Sequence, residues 1–567
     1  MDVQHIDRAI AELQASKGSW SALDLNEKLS MLGEMRTKAG STARTWVEAA
    51  CRAKGLSMDT PLAGEEWIAG PYGFIDAINA LEKTLVRIES GTDVLDGLKI
   101  HTRPDGQVLV NVQPASVSDR ILFSGSSAQV WMEPDVTTDS LGKTMAAFYQ
   151  QVDPPGAVCL ILGAGNVASI PPLDVLYKLY NEGEVTILKM NPVNEYLGDI
   201  FEVIFEDFVD AGYVRFVYGG GDVGAYLTAH GGVDTIHITG SAATYNTIRY
   251  GAGEEGAANR RADTSVNDKP ISAELGGVSP TIVVPGDWSR ADLRFQAESV
   301  VTQKMNNSGF NCIATQVLIL EESWDLVDAF LDEIRAVLNG ISDRDAYYPG
   351  ARERCDAVIG GSGVVETFGS ASERILVTGL DASATDDPAF TTEYFAPALS
   401  VVTLPSVDVP SYVAAATTFA NDVLAGTLGA NVIVHPKTEK MYAAEVDRMI
   451  ADLRYGAIGV NTWSASVYLL SRCPWGAFPG NTPSDIGSGV GIVHNTLMFS
   501  NPQKSVARAP FAPSHRTVTK GELHLAPKPV YFVTNKQMHR VGEQLIAYAM
   551  TGKTTDMLKI VSSAVRG

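Results

Sequence analysis

The spacing of apolar residues along the chain divides it into three regions. Through residues 1–90 they recur at helical intervals, as in Ile6, Ile10 and Leu13, which predicts helices. Residues 98–135 alternate, are rich in Val and Ile, and contain DG and SGS breaks, which predicts extended strands. From residue 156, short apolar runs alternate with helical patterns, which predicts a parallel sheet with helical crossovers.

The third region consists of two such sets. The first holds the strands GAVCLILG, EVTILKMNP and VDTIHITGS and a helix, PPLDVLYKLYNEG, that ends at Gly183. The second begins after residue 280 with the strand-like runs TIVVP, TQVLILEES, RILVTG, PALSVVTL and NVIVHP. We therefore predict two α/β domains in series. The polar, Gly-rich segment 251–270 between them is typical of an exposed loop.

Composition narrows the class of protein. The chain has 567 residues, of which 45% are hydrophobic and 19% charged, as in ordinary globular proteins. A net charge of −22 argues against a general nucleic-acid binder, which needs a basic surface. Five cysteines do not make a disulfide framework, and the odd number is typical of reduced thiols. We expect no metal site, no signal peptide, no membrane span and a cytoplasmic location.

Charge is distributed unevenly. Residues 501–567 hold ten basic and three acidic residues, a net +7, so the remainder of the chain carries −29. Residues 531–567 include RVGEQLIAYAM and TTDMLKIVSSAV, whose apolar positions predict amphipathic helices. We expect this tail to pack on the globular body or on a second subunit, near residues 474–489. The alternative is a solvated surface with chance charge.

Two glycine turns are candidates for phosphate binding. Gly163-Ala-Gly165-Asn-Val-Ala168 follows a strand and precedes a helix, the context in which a dinucleotide pyrophosphate meets main-chain N–H groups. Its alternative is a tight turn without a ligand. Thr239-Gly240-Ser241 also lies between a strand and a helix, and its alternative is an ordinary N-cap serine.

Two further segments contain candidate catalytic groups. Glu274 precedes Leu275, Gly276 and Gly277, and a carboxylate on such a turn is suited to general base catalysis. Cys312 follows the Gly- and Asn-rich turn NNSGFN at the start of a predicted strand, and an ionised cysteine is a strong nucleophile. The other four cysteines lie among apolar or helical residues, which favours buried structural thiols.

The order of these motifs resembles the aldehyde dehydrogenase superfamily. VCLILGAGN is similar to the strand that ends in that family's catalytic asparagine, here Asn166, and ILKMNP to the strand that ends in a cofactor lysine, here Lys189. ITGS, AELGG, NNSGFNC, EYFAPALSVV, FANDVLAGTLGANVI and GAIGVNTW follow in the family's order. The resemblance covers roughly residues 120–500 and rests on several ordered motifs.

The resemblance implies an α/β fold with a Rossmann-like cofactor-binding domain, a second α/β catalytic domain and a small β-strand oligomerisation element. The resemblance implies six regions. The first three are an N-terminal helical and strand region packing on the cofactor domain (1–119), a strand linker or oligomerisation element (120–155) and the NAD(P)-binding domain (156–275). The last three are the catalytic domain (276–475), a return segment with oligomerisation strands (476–530) and a C-terminal helical extension (531–567). A homodimer or homotetramer is implied as well.

The implied activity is NAD- or NADP-dependent oxidation of an aldehyde to an acid through a cysteine thioester. Cys312 would be the nucleophile, Asn166 the oxyanion donor and Glu274 the base. The cofactor would be held by seven residues: Gly163, Lys189, Gly240, Ser241, Leu275, Glu393 and Phe395. The substrate would meet Phe310, Asn461 and Trp463, with Tyr468 and Trp475 nearby. These aromatic residues favour an apolar or aromatic aldehyde, unless they only pack the core.

The sequence departs from the family pattern at four places, which affect the implied cofactor and activity. Pro192 replaces the carboxylate expected three residues after Lys189, which leaves the choice between NAD and NADP open. Tyr245 replaces a glycine, 251–270 resembles an insertion, and 474–489 is a degraded form of a family segment. The alternatives are a CoA-acylating enzyme, which generally lacks the glutamate, and a non-catalytic protein on the same scaffold. A thiol proteinase lacks a suitable histidine.

Overall fold

The computed structural model describes residues 3–370, 373–516 and 522–567. The chain begins with helices that cover one side of a six-stranded sheet. Their bounds are α1 Val3–Ser21, α2 Leu25–Ala53, α3 Ala63–Trp67, a π-helical turn Ile68–Tyr72, and α4 Gly73–Glu89. Trp20 and Trp46 are fully buried between these helices and the sheet, in the largest apolar cluster of the described residues.

Three antiparallel strands follow and join the larger of the two sheets. They and the neighbouring helices are β1 Lys99–Thr102, β2 Val108–Gln113, α5 Val117–Leu122, β3 Ser127–Met132 and α6 Thr138–Thr144, followed by the 3₁₀ turn Ala147–Gln150. Residues 120–122 therefore belong to a helix, although RIL was expected to be extended. Strands β1 and β2 pair alongside β3, so the predicted region 1–119 contains strands as well as helices.

The six-stranded sheet has five parallel strands in the order β8-β7-β4-β5-β6. The elements are β4 Ala157–Leu162, α7 Ile170–Glu182, β5 Glu184–Lys189, a 3₁₀ turn Glu195–Leu197, α8 Gly198–Ile204, α9 Glu206–Asp210, β6 Val214–Val217, α10 Gly221–Ala229, β7 Thr235–Gly240, α11 Ala242–Tyr250, α12 Gly253–Arg261 and β8 Ile271–Leu275. Helix α7 ends at Gly183, whose φ of 69° favours glycine. Helix α12 corrects the expectation that 251–270 is a loop throughout.

The second sheet has eleven strands in the order β1-β2-β3-β17-β15-β14-β9-β10-β13-β12-β11. Its remaining elements are β9 Ser279–Val283, α13 Arg290–Met305, a 3₁₀ turn Asn306–Gly309, β10 Thr315–Glu321, α14 Val327–Gly340, α15 Ala351–Ile359, β11 Val364–Phe368, β12 Arg374–Leu380, α16 Pro388–Thr391, β13 Ala398–Leu404, α17 Val409–Asp422, β14 Gly429–Ile433, α18 Pro436–Met441, α19 Ala443–Asp452, β15 Ala457–Val460, α20 Ala465–Leu469, β16 Gly489–Val490, β17 Pro502–Arg508 and a 3₁₀ turn Ser514–Arg516. Strand β16 instead pairs with β8 in the smaller sheet.

The chain ends in two helices, α21 Met538–Thr551 and α22 Thr554–Ala564. Helix α21 packs closely on α3, because a Cβ added at Gly542 would contact the Trp67 side chain. Asn79 of α4 donates a hydrogen bond of 2.8 Å to the carbonyl of Ala549. The tail therefore contacts the N-terminal helices of its own chain. Among the described residues, none of the helices is long and apolar enough to cross a membrane.

Candidate active site

Cys312 lies just after a sharply bent turn. Asn307, Ser308 and Gly309 have φ values of 52°, 55° and 78°, three left-handed residues in a row. Glycine is required at 309 because a Cβ there would come within 2.6 Å of the Ala396 carbonyl oxygen. The turn presents Cys312 with part of its surface accessible.

The other cysteines differ in exposure. Cys51, Cys159 and Cys473 are buried, as expected for structural thiols. Cys355 is only partly buried, which corrects the expectation for that residue. Exposure alone therefore does not show whether Cys312 or Cys355 is the candidate nucleophile. The side chains around each thiol distinguish the two.

Cys312 opens into a cavity of about 80 Å³ that is mostly apolar. Asn166 lines the same cavity, together with the aromatic residues Trp463, Tyr468 and Trp475. The Trp463 indole donates to the carbonyl of Ile313 at 3.0 Å, which fixes the ring beside the cysteine. The cavity thus combines a thiol, an amide donor and apolar walls.

Asn166 is held from two directions. Its side-chain amide donates one hydrogen bond to the carbonyl of Phe310 at 2.9 Å and retains a second N–H. Its main-chain oxygen accepts from Asn307 at 2.9 Å, Tyr347 at 3.0 Å and Lys54 at 3.3 Å. These hydrogen bonds, which we call the Asn166 clamp, connect the loop after β4 to the turn before Cys312.

The Asn166 clamp is connected through Lys54 to a buried ionic network that no sequence motif indicated. The Lys54 ammonium lies 2.8 Å from a Glu66 carboxylate oxygen, and both side chains are buried. Burial opposes the charged form of Lys54, but Glu66 raises the pKa of this lysine above its ordinary value. Glu65 extends the network by accepting from the Arg344 guanidinium at 2.6 Å and from the main-chain N–H of Asn307 at 2.9 Å. In the sequence, only the presence of Lys54 and Glu66 in the N-terminal helical region could have indicated this network.

Two buried carboxyl groups act electrostatically on Cys312. Burial, followed by the negative charges of Glu393 and Glu274, raises the pKa of the Cys312 thiol. Burial and then Asp174 raise the pKa of Glu274 well above its ordinary value. Burial raises the pKa of Glu393 to about 8, against the opposing effect of Lys304 and Arg354. The resting thiol is therefore protonated at neutral pH and needs a base.

Behind Glu274 lies a second polar cluster that was not foreseen. The buried Asp174 accepts from Thr239 at 3.1 Å and lies 3.5 Å from His237. His237 also bonds Ser272 at 2.9 Å. Strand pairing explains the proximity, since Thr239 is opposite Glu274 and His237 opposite Ser272.

A much larger cleft of about 890 Å³ opens at the carboxyl ends of the parallel strands, where open α/β sheets bind ligands. Its lining includes three of the predicted cofactor residues, Gly163, Lys189 and Gly240. Glycines 221 and 224 also line it, and a Cβ on either would meet no atom within 4 Å. A backbone free of side chains beside lysine ammonium groups fits a dinucleotide pyrophosphate.

Lys189 is electrostatically coupled to two acids at the cleft. Burial lowers the pKa of Lys189, and the carboxylates of Glu195 and Asp222 oppose this. Glu195 lies three residues beyond Pro192, which is exposed in the turn after β5. A carboxylate therefore stands near Lys189 although the expected position holds proline.

Ser241 occupies the N-cap of α11. Its hydroxyl accepts from the Thr244 main-chain N–H at 3.1 Å and lies 3.0 Å from the Thr244 hydroxyl. This is the ordinary capping role that was the alternative interpretation. Tyr245 is buried against Ile238 and Leu275 in a small apolar cluster, where glycine was expected. Leu275 thus contributes its side chain to the core, and its amide donates to Ser488.

Glu393 and Phe395 lie away from the lining of the large cleft. A Cβ at Gly276 would overlap the Glu393 carboxylate, so the glycine leaves room for that group. One oxygen each of Glu274 and Glu393 is buried without a hydrogen-bond partner among the described residues. Unsatisfied acceptors beside Cys312 fit a ligand that brings hydroxyl donors.

Two of the predicted substrate residues, Phe310 and Asn461, make structural contacts. Phe310 is fully buried and packs on Phe395 and Tyr347, with ring centroids 5.6 and 5.2 Å away. The Asn461 amide is bonded to both main-chain groups of Val434, at 2.9 and 3.0 Å. Asn461 also lines a chamber of about 260 Å³ beside the Cys312 cavity, so its contact with a substrate stays a prediction. Trp463 does line the Cys312 cavity.

The degraded segment 474–489 closes the site from the side of Glu274. Gly489 pairs with Glu274 across β16 and β8. The Ser488 hydroxyl donates to the carbonyl of Gly276 at 3.1 Å. The segment therefore supports the strand that carries the candidate base.

Comparison with known proteins finds a family model that matches part of the chain. The sequence model of the aldehyde dehydrogenase family matches residues 137–351, which include Asn166, Lys189, Glu274 and Cys312. Residues 137–351 are therefore similar in sequence to the aldehyde dehydrogenase family. The predicted resemblance is thereby confirmed.

Curated relatives match over part of their length. N-Succinylglutamate 5-semialdehyde dehydrogenase of Sphingopyxis alaskensis is 29% identical over 188 residues, which cover 33% of this chain and 35% of that protein. Aldehyde dehydrogenase 1 of Tanacetum cinerariifolium is 30% identical over 140 residues, 24% of this chain and 25% of that protein. The chain thus matches about a third or less of the length of these relatives.

Solved structures match nearly the whole chain. An indole-3-acetaldehyde dehydrogenase in complex with NAD⁺ superposes with a TM-score of 0.59 at 18% identity and covers 89% of both chains. The γ-glutamyl-γ-aminobutyraldehyde dehydrogenase of Burkholderia cenocepacia gives a TM-score of 0.59 at 18% identity, over 88% of each chain. The chain therefore has the aldehyde dehydrogenase fold, as predicted.

Proposed function

We propose that this protein oxidises an aldehyde to a carboxylic acid with NAD or NADP, through a thioester on Cys312. One observation carries the proposal. A partly accessible cysteine and a clamped asparagine amide share one cavity, and two buried carboxyl groups act on that cysteine. Sequence comparison with the family and the fold of NAD⁺-complexed neighbours support it.

The first steps follow from the charges around the thiol. Glu274 takes the thiol proton, since burial and neighbouring carboxylates keep Cys312 protonated at rest. The sulfur then adds to the aldehyde carbon, and the carbonyl oxygen becomes an oxyanion. The free N–H of the Asn166 amide and the Cys312 main-chain N–H donate to that oxyanion.

The cofactor would be held by Lys189 and the glycine-lined cleft, with the Glu393 carboxylate accepting from ribose hydroxyls. Bound there, an oxidised nicotinamide supplies a hydride acceptor. Loss of hydride from the thiohemiacetal carbon leaves a thioester on Cys312. Glu274 first releases the thiol proton to solvent and then deprotonates a water that attacks the thioester carbon. The proton taken from water passes to the departing Cys312 sulfur, which leaves the carboxylic acid and the free thiol.

A panel of aldehydes assayed with NAD and NADP, each with and without CoA, tests the proposal. We expect reduced cofactor to form with at least one apolar or aromatic aldehyde, and the acid to accumulate without CoA. Turnover that depends on CoA would favour the acylating alternative. Absence of any reduced cofactor, with a folded protein that binds the cofactor, would favour a non-catalytic role.

The homodimer or homotetramer remains a proposal. Strand β1 forms one edge of the eleven-stranded sheet, and its four residues are exposed. An edge strand of this kind offers unpaired main-chain groups to a second copy. Light scattering coupled to size-exclusion chromatography gives the mass directly.

A further inference from the structure

A second chamber adjoins the Cys312 cavity. It has a volume of about 260 Å³, and four residues line both spaces: Ile68, Ser466, Leu469 and Tyr531. The shared side chains place the two spaces directly next to each other. A substrate whose aldehyde carbon lies at Cys312 would therefore extend its body into this second chamber.

The C-terminal helices form one wall of the chamber. Val541 and Leu545 of α21 and Ile560 and Ala564 of α22 line it, together with the π-helical turn and α20. The same four residues form an apolar cluster with Ile68 and Met538. The amphipathic tail thus covers a space that would otherwise be open on that side, and its apolar face contacts whatever lies inside.

The charges around the chamber are paired with one exception. Arg472 lies 3.2 Å from Asp119, Arg508 lies 2.7 Å from Glu439, and Lys528 lies 2.7 Å from Glu298. Asp76 of α4 also lines the chamber and is partly buried. Among the described residues it has no hydrogen bond or ion pair. Burial raises the pKa of Asp76, and the positive charge of Arg472 opposes this rise.

We propose that this chamber, walled by helices α21 and α22, binds the body of the aldehyde substrate, and that Asp76 selects substrates with a hydrogen-bond donor or cation at the far end. The inference rests on the proposed function. An apolar body gains free energy by burial against Leu545 and Ile560. A carboxylate at the far end would meet the negative charge of Asp76 at close range and is excluded.

The role of the chamber in substrate binding is tested by reducing its volume. Leu545→Trp places a larger side chain in the chamber, and we expect kcat/KM for phenylpropanal to fall about tenfold or more, while that for propanal changes less than about twofold. The matched control is Leu558→Trp, because Leu558 lies on α22 but is 60% exposed. Leu545→Ala is a second variant in case the tryptophan disturbs folding, and circular dichroism melting reports on folding for all three.

The charge is tested with para-aminomethyl and para-carboxy derivatives of phenylpropanal. We expect the amine to be preferred over the acid by about a hundredfold in kcat/KM, and Asp76→Asn to reduce that ratio about tenfold. Equal losses for short and long aldehydes in Leu545→Trp, or an unchanged ratio in Asp76→Asn, would overturn the inference. Failure of the wild-type protein to oxidise any aldehyde would instead overturn the proposed function.

Discussion

The ammonium group of Lys54 donates a hydrogen bond to the main-chain oxygen of Asn166 across 112 residues of sequence, at 3.3 Å. The same ammonium group bonds Glu66 at 2.8 Å and Asn307 at 3.1 Å. One lysine at the end of α2 therefore joins the candidate oxyanion donor to the turn that presents Cys312. We therefore expect substitution of Lys54 to affect both the stability of the fold and the position of Asn166.

Lys54→Met is expected to lower the free energy of unfolding by about 3–5 kcal/mol, because it leaves the Glu66 carboxylate buried without its cation. Urea denaturation measures the change. Arg44→Met is the matched control, since the Arg44–Glu48 pair is exposed and worth about 0–1 kcal/mol. Equal effects of the two substitutions would show that the Lys54 network does not support the fold.

Cys312→Ala should abolish aldehyde oxidation and leave cofactor binding intact, because the thiol is needed only for the covalent step. Activity assays and cofactor titration by fluorescence measure the two properties. Cys355→Ala is the control, as this thiol is also partly accessible but lies outside the lining of the Asn166 cavity. Retained activity in Cys312→Ala would contradict the proposed function.

Glu274 should make turnover depend on pH. Burial and Asp174 raise the pKa of Glu274, so the carboxylate that acts as base becomes more abundant as pH rises. We expect kcat to increase with pH through this ionisation, and Glu274→Gln to remove that dependence. The variant should also accumulate an acyl-enzyme that mass spectrometry detects. Hydrolysis as fast as in the wild type would exclude Glu274 as the base.

Cofactor preference should respond to the acids near Lys189. A phosphate on the adenosine ribose would be repelled by Glu195, so Glu195→Gln should raise kcat/KM for NADP relative to NAD by about tenfold. Pro192→Glu should shift the ratio toward NAD. Wild-type use of NADP within about one or two orders of magnitude of NAD is expected. A ratio unaffected by both substitutions would place the ribose elsewhere.

Gly276→Ala is expected to reduce kcat/KM about tenfold or more, because its Cβ would overlap the Glu393 carboxylate and displace it. Steady-state kinetics with varied cofactor measure the effect. Gly33→Ala, in the open middle of helix α2, should leave activity unchanged and stabilise the protein by about 0.5–1 kcal/mol. An active Gly276→Ala enzyme would indicate that the position of Glu393 is not critical.

The sequence by itself determined the parts that depend on local pattern. Alternation of apolar runs and helical periods predicted the parallel sheets, and Gly183 predicted the end of α7. The order of motifs led to the family and placed Lys189 at a strand end, where it lines the large cleft. These features are readable because each is encoded within a few consecutive residues.

The tertiary structure decided which side chains meet. Asn461 and Phe310 lie in motifs typical of a substrate site, but only the structure shows that the Asn461 amide bonds the main chain of Val434 and that the Phe310 ring packs on Tyr347. Lys54, Glu66 and Tyr347 carry no local motif, and only the fold brings them to Asn166. The wall of the second chamber likewise requires α21 and α22 to return to the N-terminal helices. Contacts of this kind depend on burial and charge pairing between segments hundreds of residues apart, which a linear pattern does not specify.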